Sequence, residues 1–284
     1  MRGATLRAGQ DRSTRGRARW QFYRWLTYLI LFPLFAGATV FFGSLSLIAS
    51  LFDGSGRIQH RIARIWAGWV LRISLSPVRV IGRENLAAAP IAVYAANHLS
   101  YMDTPVVFHT LPFQFRILAR HDLFRIPFIG WYLRRSGQIP VDSSSLRSSI
   151  SSLNGGVRML QSGMPLMIFP EGGRTDTGHP KPFQNGAAYM AVRAGVPLVP
   201  MALVGTYELM PMHAYHLHPR PLYLVIGEPI SVAGETTRTL DRLTARLQAA
   251  IASLYYQYAA VDTANGAATA IESLDGERSS TKVS

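Results

Sequence analysis

The chain has 284 residues, enough to bury one full hydrophobic core, and its length gives no reason to invoke a second globular unit. It contains no cysteine, which excludes thiol catalysis, disulfide staples and cysteine-ligated metal. The formal net charge is +13, from 29 basic against 16 acidic residues with only Lys181 and Lys282 as lysines, so an anionic partner is expected.

The basic character is concentrated at the N-terminus, where residues 1–72 hold eleven arginines against only Asp11 and Asp53. These arginines alternate with long apolar runs, unlike the polar and aromatic residues of a nucleic-acid surface, so anionic lipid headgroups are the expected partner and nucleic acid is not. Residues 1–24 read as a basic tail. From Trp25 to Phe52 the only ionisable side chain is Tyr28, and about 20 apolar residues suffice to cross a bilayer. A secretory signal would have a shorter apolar core, roughly 7–15 residues. Pro33, Gly37 and Gly43 are the positions where this segment can bend.

Arg57 to Ile73 has helical periodicity, with Ile58, Ile62, Ile65, Trp66, Trp69, Val70 and Ile73 on one side and Arg57, Arg61, Arg64 and Arg72 on a neighbouring one. That pattern fits a helix lying in the membrane interface; its alternative is an amphipathic helix docked on the domain core. Because arginines flank the apolar segment on both sides, the positive-inside rule does not favour a simple single crossing. A two-helix hairpin in one leaflet, turning at Asp53-Gly54-Ser55-Gly56, is expected over residues 25–76, with the inner membrane as location and both ends on the cytoplasmic face.

After Pro77 the pattern becomes short β-branched runs separated by helical stretches: 78–81, 91–95, 116–119, 138–141, 166–169, 198–203 and 222–226. The expected fold is α/β over residues 77–258, a mainly parallel or mixed sheet covered by helices and closed by a helix at 236–258. Functional loops belong at the C-terminal ends of its strands. Residues 259–284 are small, polar and weakly patterned, and are expected to form a mobile tail.

Three constellations fall at strand ends. Asn97-His98-Leu99-Ser100-Tyr101-Met102-Asp103 follows the run IAVYA, and a histidine there with a carboxylate a turn and a half along is the arrangement of a general base with its orienter. Incidental capping of a turn is the bland alternative, and metal binding is weaker because no second histidine stands at ligand spacing. Phe169-Pro170-Glu171-Gly172-Gly173-Arg174-Thr175 follows the next strand, and its glycines and arginine suit phosphate oxygens, though the segment also suits a plain turn and lacks a Walker A ending. The Pro- and Gly-containing segments IPFIGW (126–131), GQIPVD (137–142) and VPLVP (196–200) suit either an apolar groove or ordinary core packing.

In this order and spacing, NHLSYMD, GQIPVD, FPEGGRT and VPLVP resemble the four motif blocks of the glycerolipid acyltransferase family, which includes 1-acyl-sn-glycerol-3-phosphate acyltransferase. The resemblance spans about residues 78–230 and extends to the two-helix membrane module of some bacterial members. It implies an acyl thioester donor, acyl-CoA or acyl carrier protein, a lysophospholipid acceptor, no cofactor and no metal. It assigns His98 as base and Asp103 as its orienter, and puts Glu171, Gly172, Arg174 and Lys181 at the acceptor phosphate. The chain departs from the family pattern where Ser143 replaces the arginine that commonly ends the second block; Arg147 or Lys181 then becomes the compensating phosphate ligand, or the acceptor carries another headgroup. Gly173 is a milder departure. The rival readings are an acyltransferase for an amino-acid-containing or glycosylated lysolipid, and a membrane-anchored lipid-binding protein without turnover. A hydrolase is disfavoured by the lack of a Gly-x-Ser-x-Gly elbow.

Overall fold

The computed structural model describes residues 21, 24–142, 146–175, 177–213 and 216–259. The basic N-terminal tail before residue 21, the C-terminal tail beyond 259, Ser143 and the side chain of Arg147 lie outside the described residues.

Helix α1, Arg24–Ala49, is long and apolar enough to cross a membrane, with a mean hydropathy of 1.9 in its most apolar window. Only 11% of that window is buried, so its apolar surface faces outward rather than into the protein. Its first part contains a wider π-helical turn, Thr27–Leu31. That turn sits where the Pro33 ring would otherwise meet the carbonyl four residues back.

Helix α2, Arg57–Ile73, returns against α1, and the two are tied by a hydrogen bond from the Trp66 indole to the Thr39 hydroxyl at 3.1 Å. The turn is organised by Asp53, whose carboxylate accepts the Ser55 N–H at 2.8 Å and the Ile58 N–H at 2.7 Å. These donors at a helix start hold the Asp53 carboxyl down at about 2, the Ile58 bond contributing most. Arg116 from the sheet donates to Ser55 O at 2.7 Å, and the His60 ring bonds Phe113 O at 3.0 Å. Gly56 has φ 72°, and a Cβ there would lie 2.9 Å from the Arg116 guanidinium. The left-handed conformation favours glycine there, and a side chain would in addition have to displace the Arg116 guanidinium.

The periodic apolar set on α2 divides between two environments. Ile62 and Val70 join Ala63, Ala67 and Leu71 in the domain core, whereas Ile58, Ile65 and Trp69 remain exposed. The docked alternative thus describes one face of this helix, and the outward residues form another. Small side chains at Ala63, Ala67 and Gly68 let α2 approach helix α3 (Asp103–Thr110) closely; a Cβ at Gly68 would lie 3.1 Å from His109.

The sheet has seven strands: β1 Val78–Ile81, β2 Val93–Ala96, β3 Arg116–Arg120, β4 Ile139–Val141, β5 Leu166–Ile168, β6 Leu198–Val204 and β7 Leu222–Ile226. Their spatial order is β1-β7-β6-β2-β5-β3-β4. All neighbours pair in parallel except β6 with β7, so the sheet is mixed with a parallel centre. Helices α1 to α3 cover one face together with Tyr94, Met167 and Met201. Helices α5 (Leu146–Gln161) and α6 (Gly186–Ala194) and a closing helix at 240–259 cover the other, together with Val93, Leu166 and Leu198. Between β3 and β4, a 3₁₀ turn (His121–Arg125) and helix α4 (Ile129–Arg135) lie beside α1. The observed fold is the expected one, an α/β sheet between helical layers with an apolar N-terminal helix.

Candidate active site

Strands β2 and β5 lie side by side in parallel, with Ala95 opposite Ile168. Three residues on, the same register brings His98 opposite Glu171. The His98 backbone N–H donates to Glu171 Oε1 at 2.7 Å, joining the two loops that leave the sheet. Asn97 extends the neighbouring pairing: its amide donates to Leu203 O at 2.9 Å and accepts the Leu203 N–H at 2.7 Å, so a side chain substitutes for a strand's backbone. The end of β2 is therefore anchored on both sides before the chain turns.

Asp103 is fully buried in the first turn of α3. One of its oxygens, Oδ2, accepts His98 Nδ1 at 2.9 Å, the Leu99 N–H at 2.7 Å and the Ser100 N–H at 2.9 Å. Because the carboxylate accepts, Nδ1 carries the proton and Nε2 presents its lone pair. Phe169 lies flat on the imidazole, with centroids 4.0 Å apart and planes inclined by 14°. The ring is thus held by a hydrogen bond at its edge and an aromatic face, with the His98 side chain 14% exposed. Such a group is reachable by substrate without being free to rotate.

Both oxygens of Glu171 are occupied by backbone donors: Oε1 by His98 and Oε2 by the Lys181 N–H at 2.9 Å. Burial pushes this carboxyl up to about 7, while those same two bonds pull it the other way. Through these two bonds the Glu171 side chain ties the start of its own loop to the His98 backbone on one side and to Lys181 on the other. Gly172 sits at φ 71°, where a Cβ would lie 2.5 Å from the Gln184 amide. Gln184 N–H in turn donates to Pro170 O at 2.8 Å, closing the loop on itself.

Arg174 lies over the Tyr101 ring, its guanidinium carbon 3.7 Å from the centroid, and the Lys181 ammonium donates to the Arg174 carbonyl. The structure therefore assembles His98, Asp103, Glu171, Gly172, Arg174 and Lys181 from two adjacent strand ends. The second block contributes differently. Gln138 turns inward to accept the Ile117 N–H at 2.7 Å between β3 and β4, and Gly137, at φ 71°, makes room for the Arg116 side chain. The fourth block starts β6, where Leu198 exchanges backbone bonds with Ile230. Phe169, Asn97 and Tyr101 all lie within the two motif blocks, but spacing alone assigns them no role. Among the described residues, no group of three His, Asp or Glu side chains is placed to hold a metal.

Fold and site define an α/β enzyme with a histidine–aspartate pair at the C-terminal edge of a mostly parallel sheet. A family model described as acyltransferase matches residues 77–204. The chain is 32% identical over 239 residues to a 1-acyl-sn-glycerol-3-phosphate acyltransferase of Chlamydomonas reinhardtii, covering 82% of this chain and 68% of the relative. It is 30% identical over 229 residues to the Pseudomonas aeruginosa 1-acyl-sn-glycerol-3-phosphate acyltransferase, covering 78% and 87%. A chloroplastic relative from Brassica napus is 34% identical over 166 residues, but the chain spans only 47% of that protein. The crystal structure of the 1-acyl-sn-glycerophosphate acyltransferase PlsC from Thermotoga maritima superposes with a TM-score of 0.66 at 25% identity, covering 79% of this chain and 93% of that one. The chain belongs to the 1-acyl-sn-glycerol-3-phosphate acyltransferase-like family, and it is an O-acyltransferase.

Proposed function

We propose that the enzyme transfers a fatty acyl group from acyl-CoA or acyl carrier protein to the sn-2 hydroxyl of 1-acyl-glycerol-3-phosphate, forming phosphatidic acid. The observation that carries this reading is the His98–Asp103 bond of 2.9 Å, which leaves Nε2 as a base of fixed direction. His98 takes the acceptor hydroxyl proton as that oxygen attacks the thioester carbonyl. Collapse of the tetrahedral adduct breaks the carbon–sulfur bond, and the departing thiolate receives the proton from the imidazolium. Asp103 stabilises the imidazolium between these steps. No covalent acyl-enzyme is needed.

Arg174 is the phosphate ligand in this reading, with the Lys181 ammonium nearby adding positive charge. Glu171 acts one step removed, fixing His98 and the phosphate loop relative to each other through its two backbone bonds. Helix α1 sits in the inner membrane with the catalytic domain on the cytoplasmic face, supported by arginines on both sides of the apolar run. A second reading is favoured by one observation, Ser143 standing where the family commonly has an arginine: the acceptor is then a lysolipid with a headgroup other than a phosphomonoester. Incubating purified enzyme with a panel of lysolipids and one labelled acyl-CoA separates the two, and release of free thiol separates both from a lipid-binding protein without turnover. Highest transfer to an acceptor other than lysophosphatidate would overturn the first reading.

A further inference from the structure

Beyond the catalytic pair and α1, one segment has features that neither the chemistry nor the core explains. Between residues 123 and 131, Leu123, Ile126, Ile129 and Trp131 are all exposed, Trp131 at 56%. Single exposed apolar residues are ordinary; four within nine residues are a concentration that packing against the core does not account for. The backbone is folded tightly to present them. Phe128 has φ 67° and ψ −58°, and Ile129 N–H bonds Pro127 O at 2.8 Å, the strained form of the three-residue turn. Gly130 completes it, for a Cβ there would lie 2.2 Å from the Phe124 carbonyl. The strain turns Phe128 inward, while Ile126 and Ile129 on either side of it point out.

Where Phe128 goes identifies the partner. Its ring presses on Gly43 of α1 so closely that a Cβ at Gly43 would lie 2.6 Å from it. The segment is therefore fastened beside the part of α1 whose Val40, Phe41 and Leu45 are exposed. Its charge is equally one-sided: residues 120–135 contain Arg120, Arg125, Arg134 and Arg135 against Asp122 alone, and Asp122 is already paired with Arg120 at 2.7 Å. Apolar tips, an exposed tryptophan and unbalanced arginines continuous with an apolar helix fit the headgroup region of an anionic bilayer.

We propose that residues 120–135 are a second bilayer contact, in which Ile126, Ile129 and Trp131 enter the interface of an anionic membrane while Arg125, Arg134 and Arg135 meet its phosphates. This rests on the reading of α1 as a membrane helix and adds a contact made by the catalytic domain itself. Because α1 is itself fastened to the domain through α2 and Phe128, the two contacts together would set the domain's tilt on the bilayer.

The chain lacks cysteine, so single-cysteine variants report single positions. The full chain is prepared as Ile126→Cys, Trp131→Cys, Val40→Cys in α1, and Thr237→Cys just before the closing helix that covers the opposite face. Each is labelled with an environment-sensitive fluorophore and reconstituted into phosphatidylcholine vesicles with and without phosphatidylglycerol. Retained acyl transfer by each labelled variant checks that it is folded. In phosphatidylglycerol vesicles, positions 126 and 131 should shift to the blue and lose quenching by aqueous iodide as position 40 does, with position 237 unchanged. Positions 126 and 131 remaining fully quenchable while 40 is protected would overturn the proposal and leave the α1 reading standing. All three remaining quenchable would overturn both. An equal response in pure phosphatidylcholine would overturn the assignment to an anionic surface, and Arg134→Glu with Arg135→Glu should weaken protection at 126 and 131 if the assignment holds.

Discussion

The Glu171 carboxylate accepts the backbone N–H of His98 at 2.7 Å, so a residue of the loop proposed to hold the acceptor phosphate also positions the proposed base. Its second oxygen takes the Lys181 N–H, and burial raises its pKa from 4.5 to about 7.

That shift has a definite sign in stability. A carboxyl whose folded pKa is raised binds its proton more tightly when folded, so its favourable contribution is complete below the unfolded pKa and is lost as pH rises through the folded one. The loss falls between about pH 4.5 and pH 7 and is on the order of 3 kcal/mol. Glu171→Gln cannot titrate, and its amide would point a donor at one of the two backbone N–H groups. Thermal melts at pH 5, 6 and 7 should therefore show the wild type losing stability with pH relative to the variant. Parallel curves would refute the raised pKa. In turnover, Glu171→Gln should lower kcat by roughly tenfold, about 1.4 kcal/mol, with acceptor KM nearly unchanged, because the residue touches the base's backbone and not the proposed phosphate.

His98→Ala should lower acyl transfer by about a hundredfold or more while leaving the melting temperature close to wild type. Asp103→Asn should differ in kind. Asp103 Oδ2 holds the Leu99 and Ser100 N–H groups as well as the imidazole; an amide oxygen in its place would hold them without the charge, and the NH₂ would fall where the buried Oδ1 has no hydrogen-bond partner. A loss of about 1–3 kcal/mol of stability should accompany the loss of rate, measurable by denaturant titration. Full stability in Asp103→Asn would mean that the turn is held by other groups.

The sheet was legible because each strand is a short β-branched run, and all seven runs correspond to the observed strands. The face that α2 buries was not. Its buried side carries Ala63, Ala67 and Gly68, which add little to a hydrophobic periodicity, while Ile65 and Trp69 add much and are exposed. Close packing selects small residues; a helical wheel weights large ones. His98 and Asp103 were readable because their pairing depends only on local spacing at a strand end. Phe169 against His98, and Tyr101 beneath Arg174, join two loops 71 and 73 residues apart, and only the β2–β5 register brings them together. Glu171 carries a related lesson: its bonds to the His98 and Lys181 N–H groups join residues 73 and 10 positions away, which motif spacing alone does not show.

Removing the N-terminal helices should separate their roles. Deleting residues 1–52 takes away α1 but keeps the Asp53 turn and the buried face of α2. This form should fold and bind vesicles less well. Deleting residues 1–76 also strips Ala63, Ala67, Val70 and Leu71 from the core and orphans the surface around Phe108. Burial of several such side chains stabilises by about 1.5–3 kcal/mol each for the larger ones, comparable in sum with a domain's whole stability. The longer deletion should therefore aggregate, and its recovery as a soluble, folded domain would mean that α2 is not part of the core.

The last prediction concerns how Arg174 is held. Its guanidinium lies 3.7 Å from the centre of the Tyr101 ring, and Tyr101 is itself half exposed, so the stack stands at the site's surface. An exposed cation–π contact is worth about 0.5–1 kcal/mol, and a charge-assisted hydrogen bond to phosphate about 1.5–3 kcal/mol. Arg174→Ala should thus worsen kcat/KM for the acceptor by about tenfold to a hundredfold, with saturation by the acyl donor little changed. Tyr101→Leu should cost only about twofold to fivefold, and Tyr101→Phe almost nothing, because the ring face supplies the contact. In the Arg174→Ala background, Tyr101→Leu should have no further effect, since its only role in acceptor binding would already be gone. Ser143→Arg completes the set: with lysophosphatidate as acceptor, a second guanidinium should improve acceptor binding. If Ser143→Arg instead impairs the enzyme on its best acceptor while Arg174→Ala is tolerated, the phosphomonoester reading fails and a lysolipid with another headgroup takes its place.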